Sequence, residues 1–117
     1  MANAMVIGIG GVGSVIGQKL HSYDCFEKIV LADLDPVFAN QLAAHTPKSR
    51  FIVVQANAMD VDALAALMKE HAITVTCNAC VCNTNYAVLE ACLRAGSHYI
   101  DMAADIYSAP GVKKPGK

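Results

Sequence analysis

Hydrophobic and polar positions along the chain follow two alternating periods. Five short apolar runs, each ended by glycine or by polar residues, are typical of strands that are buried in a parallel sheet. These runs predict strands at Ala4–Gly8, Lys28–Ala32, Arg50–Gln55, Ile73–Cys77 and His98–Asp101.

Between the apolar runs, hydrophobic residues recur every three or four positions, which indicates helices with one buried face. Four helices are predicted. The first begins at Gly11, and the second runs from Pro36, after the cap residue Asp35, to about His45. The third follows the cap residue Asp60, and the fourth runs from Thr84 to Ala95, with Gly96 as a left-handed cap. Gly13 and Gly17 lie one turn apart, where the first helix can press against the sheet. The predicted buried side chains are Val12, Val15, Ile16 and Leu20; Val61, Leu64, Leu67 and Met68; and Tyr86, Val88, Leu89 and Cys92.

Five strands alternating with four helices predict an α/β fold of the Rossmann type, a doubly wound parallel sheet with the strand order 3-2-1-4-5. A chain of 117 residues has room for one such domain. We expect the dinucleotide-binding domain to span residues 1–108 and a flexible tail, rich in proline, glycine and lysine, to span 109–117. A substrate domain does not fit in this length.

Composition narrows the range of partners. Hydrophobic residues make up 55% of the chain and charged residues 16%, which excludes a disordered protein. The formal net charge of −1 gives no basic field for nucleic acid or for an anionic membrane surface. No apolar stretch reaches the roughly 18 residues of a membrane span. Five cysteines, an odd number without regular spacing, favour reduced thiols in the cytoplasm.

A glycine-rich turn joins the first predicted strand to the first predicted helix. The sequence from Gly8 through Gly10 to Gly13 matches G-x-G-x-x-G. Gly8 permits the tight turn, Gly10 lets a pyrophosphate approach the backbone, and Gly13 lets the helix pack closely on the sheet. The backbone N–H groups that open the helix, at Gly11 and Val12, then face the phosphates of the ligand.

Asp33 lies 20 residues after Gly13, at the end of the second strand. A carboxylate there accepts hydrogen bonds from the hydroxyls of an adenosine ribose. It disfavours a 2′-phosphate, since two unit charges about 4 Å apart repel by about 4 kcal/mol at an effective dielectric constant near 20. The neighbouring Leu34 supplies no compensating cation, so NAD is favoured over NADP, although Lys48 or Arg50 would restore NADP by swinging in. The alternative is a structural glycine turn with Asp33 in solvent.

The crevice of such a sheet opens between the carboxyl ends of the first and fourth strands. Asn78, Ala79 and Cys80 are expected to line the nicotinamide half, while Asn57 and Ala58 lie where an adenine edge would pass. Two structural alternatives stay open. Asn78 would only brace its own turn, and the segment at 57–58 would only lead into a helix capped by Asp60.

The cysteines and histidines give weaker signals. The spacing of Cys77, Cys80 and Cys82 admits zinc or a reactive dithiol, with Cys92 or His98 as a further ligand, but a second C-x-x-C pair is missing, so structural roles are favoured. His21, His45 and His71 fall near helix ends, and Asp101 at a strand end is either a ligand contact or a solvated terminus. No catalytic triad is recognisable, and catalytic residues are not identified.

The chain resembles the N-terminal nucleotide-binding domain of the saccharopine dehydrogenase and carboxynorspermidine dehydrogenase-like family. Three segments carry the resemblance: Val6-Ile-Gly-Ile-Gly-Gly-Val-Gly13, Val30-Leu-Ala-Asp33 and Asn85-Tyr-Ala-Val-Leu-Glu-Ala-Cys-Leu-Arg-Ala-Gly-Ser-His-Tyr-Ile-Asp101. The resemblance implies an NAD(P)-dependent oxidoreductase for an amino acid or imine-type substrate. It places the adenine near Asn57 and the nicotinamide near Asn78 to Cys80. The family often has two alanines and a proline where this chain has Ala79-Cys-Val-Cys82.

Because the family's substrate domain follows this region, we expect the 117 residues alone to be inactive, as a fragment or a short gene product. A second hypothesis for the function of this chain is a nucleotide-sensing regulatory domain of the potassium-channel type. Such modules carry an acidic turn after the third strand, where this chain has Gln55-Ala-Asn57. A third is a dimerisation domain with a vestigial pocket, and an apolar face left by a missing domain would favour a homodimer.

Overall fold

The computed structural model describes residues 1–102, so the predicted end of the domain at residue 108 and the predicted tail at 109–117 lie outside the described residues. Five strands and four helices alternate along this part of the chain. The strands are β1 (Ala2–Ile7), β2 (Phe26–Asp33), β3 (Phe51–Gln55), β4 (Val75–Asn78) and β5 (His98–Asp101). The helices are α1 (Gly11–His21), α2 (Val37–Ala44), α3 (Val61–Glu70) and α4 (Asn85–Ala95), with a 3₁₀ turn at Cys82–Thr84 before α4.

The strands form one sheet in the order β3-β2-β1-β4-β5, and every neighbouring pair is parallel. The predicted fold class and strand order are therefore confirmed. Because the order reverses beside β1, the chain leaves β1 and β4 toward opposite faces of the sheet, and a crevice is expected at their carboxyl ends. None of the helices in residues 1–102 has both the length and the apolar character needed to traverse a bilayer.

Alternate side chains of β1 enter two separate cores, as the two-residue period of a strand requires. Val6 packs on one face with the apolar residues of α1 and α2. Met5 and Ile7 pack on the opposite face with the apolar residues of α3 and α4. All three side chains are at most 1% exposed. The sheet is thus covered on both faces, and the ends of its central strands are left for a site.

The predicted caps of α3 and α4 are confirmed. The carboxylate of Asp60 accepts the backbone N–H of Ala63 at 3.1 Å. Gly96 ends α4 in the left-handed conformation, with φ +75° and ψ 26°. The start of α2 differs by one residue, since Pro36 occupies the cap position, and Asp35 instead accepts the N–H of Val37 at 3.2 Å.

Four of the side chains predicted to be buried are exposed: Val12 (55%), Val15 (64%), Tyr86 (70%) and Leu89 (36%). In α1 the reason is that the glycines define the buried stripe. A Cβ atom on Gly17 would lie 3.2 Å from Cδ2 of Leu31, so the helix backbone itself meets the sheet. A helix that approaches through Gly13 and Gly17 turns Val15 away from the core.

Candidate functional site

The glycine turn between β1 and α1 crosses directly over the turn that follows β4. Gly8 has φ +88°, a conformation that residues with a Cβ atom rarely adopt. A Cβ atom on Gly8 would also lie 2.7 Å from Sγ of Cys80 and 3.0 Å from its backbone nitrogen. Glycine is therefore required here by the backbone conformation and by the close approach of a second loop.

Gly13 and Gly10 serve opposite purposes in the same turn. A Cβ atom on Gly13 would lie 1.8 Å from the carbonyl oxygen of Gly8, so the close packing of α1 on β1 depends on glycine, as predicted. A Cβ atom on Gly10 would meet nothing within 4 Å. The backbone at Gly10 borders open space, which the approach of a ligand requires.

The first turn of α1 keeps its N–H groups available. Its cap residue, Gly10, has no side chain, and the first turn holds no acidic residue. The amides of Gly11, Val12 and Gly13 belong to the helix end that lacks intrahelical acceptors, where the aligned peptide dipoles amount to roughly half a positive charge. In α3, by contrast, Asp60 supplies such an acceptor from the chain itself.

Asp33, at the carboxyl end of β2, is bound to the glycine turn. Its Oδ2 accepts the backbone N–H of Ile9 at 2.7 Å, and its Oδ1 accepts that of Asp35 at 3.1 Å. Each carboxylate oxygen has a second lone pair, so both keep the capacity to accept from a ligand. Asp33 is not simply a solvated residue, because its carboxylate positions the backbone of the turn beside it.

A cleft of about 380 Å³ opens between these elements. Most of the predicted cofactor residues line it: Gly8, Gly10, Asp33, Leu34, Asn57, Ala58, Ala79 and Cys80. Four further lining residues were not predicted: Ile7, Ala56, Val81 and Thr84. The positions of the strand ends could have predicted Ile7, the last residue of β1, and Ala56, which follows β3. No sequence motif marks Val81 or Thr84.

The remaining predicted residues lie around this cleft. Gly13 is buried beneath the turn, and Gly11 and Val12 are exposed on α1. Gly11 also lines a second cleft of about 260 Å³ with Gly10, Ser14 and Phe38. Asn78 is fully buried and does not reach the surface of the main cleft.

The side chain of Asn78 makes hydrogen bonds within the β4–α4 turn, and it also interacts with the side chain of Tyr99 on β5. Its Oδ1 accepts the backbone N–H of Cys80 at 3.1 Å. Its Nδ2 donates to Oγ1 of Thr84 at 3.0 Å and to Oδ1 of Asn85 at 3.1 Å. This geometry matches the structural alternative, in which Asn78 braces its own turn.

Asn57 shapes the helix-entry loop and also lines the cleft. Its Oδ1 accepts the backbone N–H of Met59 at 2.9 Å, and its carbonyl accepts that of Asp60 at 3.0 Å, so it shapes the entry to α3. It also lines the cleft together with Ala58. The helix-entry loop is therefore one wall of the candidate site.

Three of the thiols on or near β4 have a raised pKa. Burial raises the pKa of Cys80, and the negative charge of Asp33 raises it further. Burial also raises the pKa of Cys77 and of Cys92. Within residues 1–102, no group of three or more histidine, cysteine, aspartate or glutamate side chains has a geometry that would hold a metal ion.

Asp101, His21 and His45 have partners elsewhere. The hydroxyl of Tyr99 donates to Oδ2 of Asp101 at 2.8 Å, and burial, more than this contact, raises the pKa of Tyr99 to about 12. Nε2 of His21 accepts the backbone N–H of Arg50 at 3.1 Å, at the opposite end of the sheet from Asp33. Nδ1 of His45 lies 2.7 Å from the carbonyl oxygen of Gln41.

Comparison with protein families identifies the family of this chain. Residues 4–114 match the model of the saccharopine dehydrogenase NADP binding domain. The chain belongs to this family. The resemblance carried by the glycine turn, Asp33 and the α4–β5 segment is thereby confirmed. A regulatory domain of the potassium-channel type is not favoured.

A curated relative agrees with the family assignment, and two solved structures share the fold. This chain is 31% identical over 114 residues to carboxyaminopropylagmatine dehydrogenase from Synechocystis, a match that covers 97% of this chain and 28% of that protein. The apo saccharopine dehydrogenase from Saccharomyces cerevisiae has a TM-score of 0.73 at 17% identity, over 86% of this chain and 21% of the other. UDP-glucose-4-epimerase from Stenotrophomonas maltophila, solved with bound NAD, has a TM-score of 0.69 at 20% identity, over 86% and 36%. The two structures establish the fold.

Proposed function

We propose that this chain is the NAD(H)-binding domain of an oxidoreductase that acts on an amino acid or an imine-type substrate. The observation that carries the proposal is the position of the Asp33 carboxylate, which is fixed by the Ile9 N–H at the rim of the cleft beside Gly10. An acid at this point is suited to a ribose that bears two free hydroxyls.

The residues present fit a dinucleotide. The uncapped amides of Gly11 and Val12 would hold the pyrophosphate, which would pass through the open space over Gly10. Asp33 would accept from the adenosine ribose, the wall at 57–58 would border the adenine, and the turn at 79–80 would border the nicotinamide. When bound, the dinucleotide supplies a hydride donor or acceptor.

Electrostatics favour NAD over NADP, although the family's name specifies NADP. Asp33 would repel a 2′-phosphate, and the adjacent Leu34 is uncharged. The guanidinium of Arg50 donates to the carbonyls of Tyr23, at 3.1 Å, and of Phe26 and His21. Arg50 thus binds the amino end of β2, where the backbone N–H of Ile29 donates to the carbonyl of Arg50. Ile29 precedes Asp33 by four residues, which is about 13 Å along the strand. Arg50 is held away from a ribose at Asp33.

Hydride transfer itself requires residues outside this chain. The chain spans 28% of the length of the curated relative. Transfer needs a substrate held in near-attack geometry against the nicotinamide. In this proposal the domain binds and orients the cofactor, another part of the enzyme binds the amino acid or imine, and the 117 residues alone are inactive.

Calorimetric titration with NADH and with NADPH tests the cofactor proposal. We expect the unaltered chain to bind NADH more tightly than NADPH. We expect Asp33→Asn to weaken NADH binding and to reduce the ratio of NADH affinity to NADPH affinity. Asp35→Asn is the matched control, because Asp35 is exposed and does not line the cleft. Absence of heat with both nucleotides at millimolar concentration would refute dinucleotide binding, and tighter binding of NADPH would refute only the NAD preference.

Compartment and assembly belong to the same proposal. All five cysteines are free thiols, which supports a reducing compartment such as the cytoplasm. A homodimer through exposed apolar residues stays a prediction. Sedimentation of the chain over a range of concentrations measures its oligomeric state directly.

A further inference from the structure

The segment from Ala79 to Thr84 forms one wall of the cleft without a proline to restrain it. Ala79, Cys80, Val81 and Thr84 all line the cleft. At its first residue, the backbone N–H of Ala79 donates to the carbonyl of Ile7 at 2.8 Å. Beyond that point, the backbone N–H of Thr84 donates to the Val81 carbonyl at 3.1 Å and that of Asn85 donates to the Cys82 carbonyl, which closes the 3₁₀ turn. The other hydrogen bonds of this wall come from side chains.

Asn78 joins the two ends of this wall. Its Oδ1 accepts from the backbone of Cys80, near the start of the wall, and its Nδ2 donates to the side chains of Thr84 and Asn85 at the far end. The hydroxyl of Thr84 in turn donates to the carbonyl of Val81 at 2.8 Å. The side-chain hydrogen bonds that shape residues 80–84 therefore converge on one fully buried amide.

The same turn sets the position of the glycine turn. Sγ and the backbone nitrogen of Cys80 occupy the space that a side chain on Gly8 would need. A change in the path of residues 80–84 would therefore move the surface that faces the far side of the glycine turn. Asp33 and the 57–58 wall lie on the other side of β1, and their hydrogen bonds do not involve Asn78.

We propose that Asn78 is a positioning residue for the nicotinamide half of the dinucleotide. It does not touch the ligand, and instead it fixes the Cys80–Thr84 wall on which the nicotinamide end rests, with the Thr84 hydroxyl as its intermediary. This inference rests on the proposed function. The two halves of the ligand would then rest on walls of the cleft that are supported by separate hydrogen bonds.

The test compares NADH with ADP-ribose, which carries the adenosine and the pyrophosphate but lacks the nicotinamide. Calorimetry gives the affinity of each ligand, and the fluorescence of the reduced nicotinamide reports its surroundings directly. For Asn78→Ala we expect NADH affinity to fall about tenfold, the size of one lost buried hydrogen bond. The affinity for ADP-ribose should change less than about twofold, a difference of roughly 0.4 kcal/mol.

A pair of Thr84 variants keeps the test decisive where Asn78→Ala does not fold. Thr84→Val removes the acceptor of the Asn78 amide at nearly constant volume, and Thr84→Ser retains the hydroxyl. We expect the valine variant to lose NADH affinity and nicotinamide fluorescence selectively, and the serine variant to restore both. Asn83→Ala is the matched control, because Asn83 is an exposed asparagine in the same turn and lies outside the cleft.

The outcomes separate this inference from the proposed function. Equal losses for NADH and ADP-ribose would overturn it, because Asn78 would then support the whole fold, and so would a serine variant that behaves like the valine variant. If the unaltered chain binds ADP-ribose and NADH equally tightly with no change in nicotinamide fluorescence, the positioning role is wrong while the dinucleotide proposal survives. Failure of the unaltered chain to bind either ligand refutes the proposed function itself.

Discussion

Oδ2 of Asp33 accepts the backbone N–H of Ile9 at 2.7 Å, so the acidic end of β2 holds the glycine turn that follows β1. The second oxygen accepts the N–H of Asp35 at 3.1 Å. One carboxylate thus fixes two backbone segments at the rim of the cleft. A residue expected to select the ribose is also part of the scaffold that shapes the phosphate-binding turn.

Replacing Asp33 should therefore lower stability as well as change cofactor preference. In Asp33→Asn, the amide group offers one acceptor oxygen to two backbone donors, so either the partly buried N–H of Ile9 or the exposed N–H of Asp35 loses its partner. We expect the free energy of unfolding to fall by about 1–3 kcal/mol, measured by urea denaturation.

Asp62→Asn is the matched control for that measurement. Asp62 is 91% exposed and pairs with Arg94 at 2.7 Å, and exposed pairs of this kind contribute about 0–1 kcal/mol. If Asp33→Asn loses no more stability than Asp62→Asn, the carboxylate does not hold the turn as described.

The glycines of the turn should separate folding from binding. Gly13→Ala places a Cβ atom 1.8 Å from the Gly8 carbonyl oxygen, so we expect a loss of about 3 kcal/mol or more of stability. Gly10→Ala places its Cβ atom in open space, so stability should change by less than about 1 kcal/mol while NADH affinity falls about tenfold or more.

Thermal denaturation and calorimetry of the two glycine variants provide the comparison. Each variant is the control for the other, since both add one methyl group to the same turn. Equal effects on stability would contradict the different surroundings of Gly10 and Gly13.

Stability should decrease in mild acid because of His21. Burial and the charge of Arg50 lower the pKa of His21 below its ordinary value of 6.5, and its Nε2 accepts the Arg50 N–H only when the ring is neutral. Below pH 6.5 the unfolded chain therefore binds more protons at this residue than the folded chain does. The stability that neutral His21 contributes is fully present above pH 6.5, and it is lost as the pH falls through the lower pKa of His21 in the folded chain.

Urea denaturation at pH 7.5 and pH 5.5 tests this sign. The unaltered chain should lose more stability between the two pH values than His21→Gln, in which the other three histidines are retained. An equal loss in both proteins would show that His21 is not the responsible group.

The five thiols should react in the order of their surroundings. Cys25 is exposed and should be alkylated first, whereas Cys92 is 1% exposed, has a raised pKa and should be last. Cys80 should react more slowly than Cys25, because burial and Asp33 raise its pKa, and NADH should slow it further by covering the cleft.

Mass spectrometry after timed alkylation measures each thiol separately. Cys25 serves as the internal control, and its rate should not depend on NADH. A Cys80 that reacts as fast as Cys25 would instead favour the redox interpretation of the C-x-x-C spacing.

Local patterns were sufficient to predict the architecture. Apolar runs and three-to-four spacing are properties of neighbouring residues, so they gave the alternation of strands and helices, and the right-handed crossover then allowed few strand orders. The caps Asp60 and Gly96 also act within a few residues of their own positions. The buried face of α1 was predicted only in part, because Gly13 and Gly17 contribute no hydrophobicity to the pattern that marks a buried stripe.

The sequence by itself determined the strand order, the glycine turn and the acid at the end of β2, because these depend on short-range spacing and on the handedness of the chain. Only the tertiary structure decided that Cys80 crosses against Gly8, that the carboxylate of Asp33 is bound to Ile9, and that Asn78 is buried in its own turn. The Cys80 and Asp33 contacts join residues that are distant in the chain, and all three depend on how closely the strands and turns pack. Spacing indicates which strand ends meet, but the distances and directions of their side chains are set by packing of the whole domain.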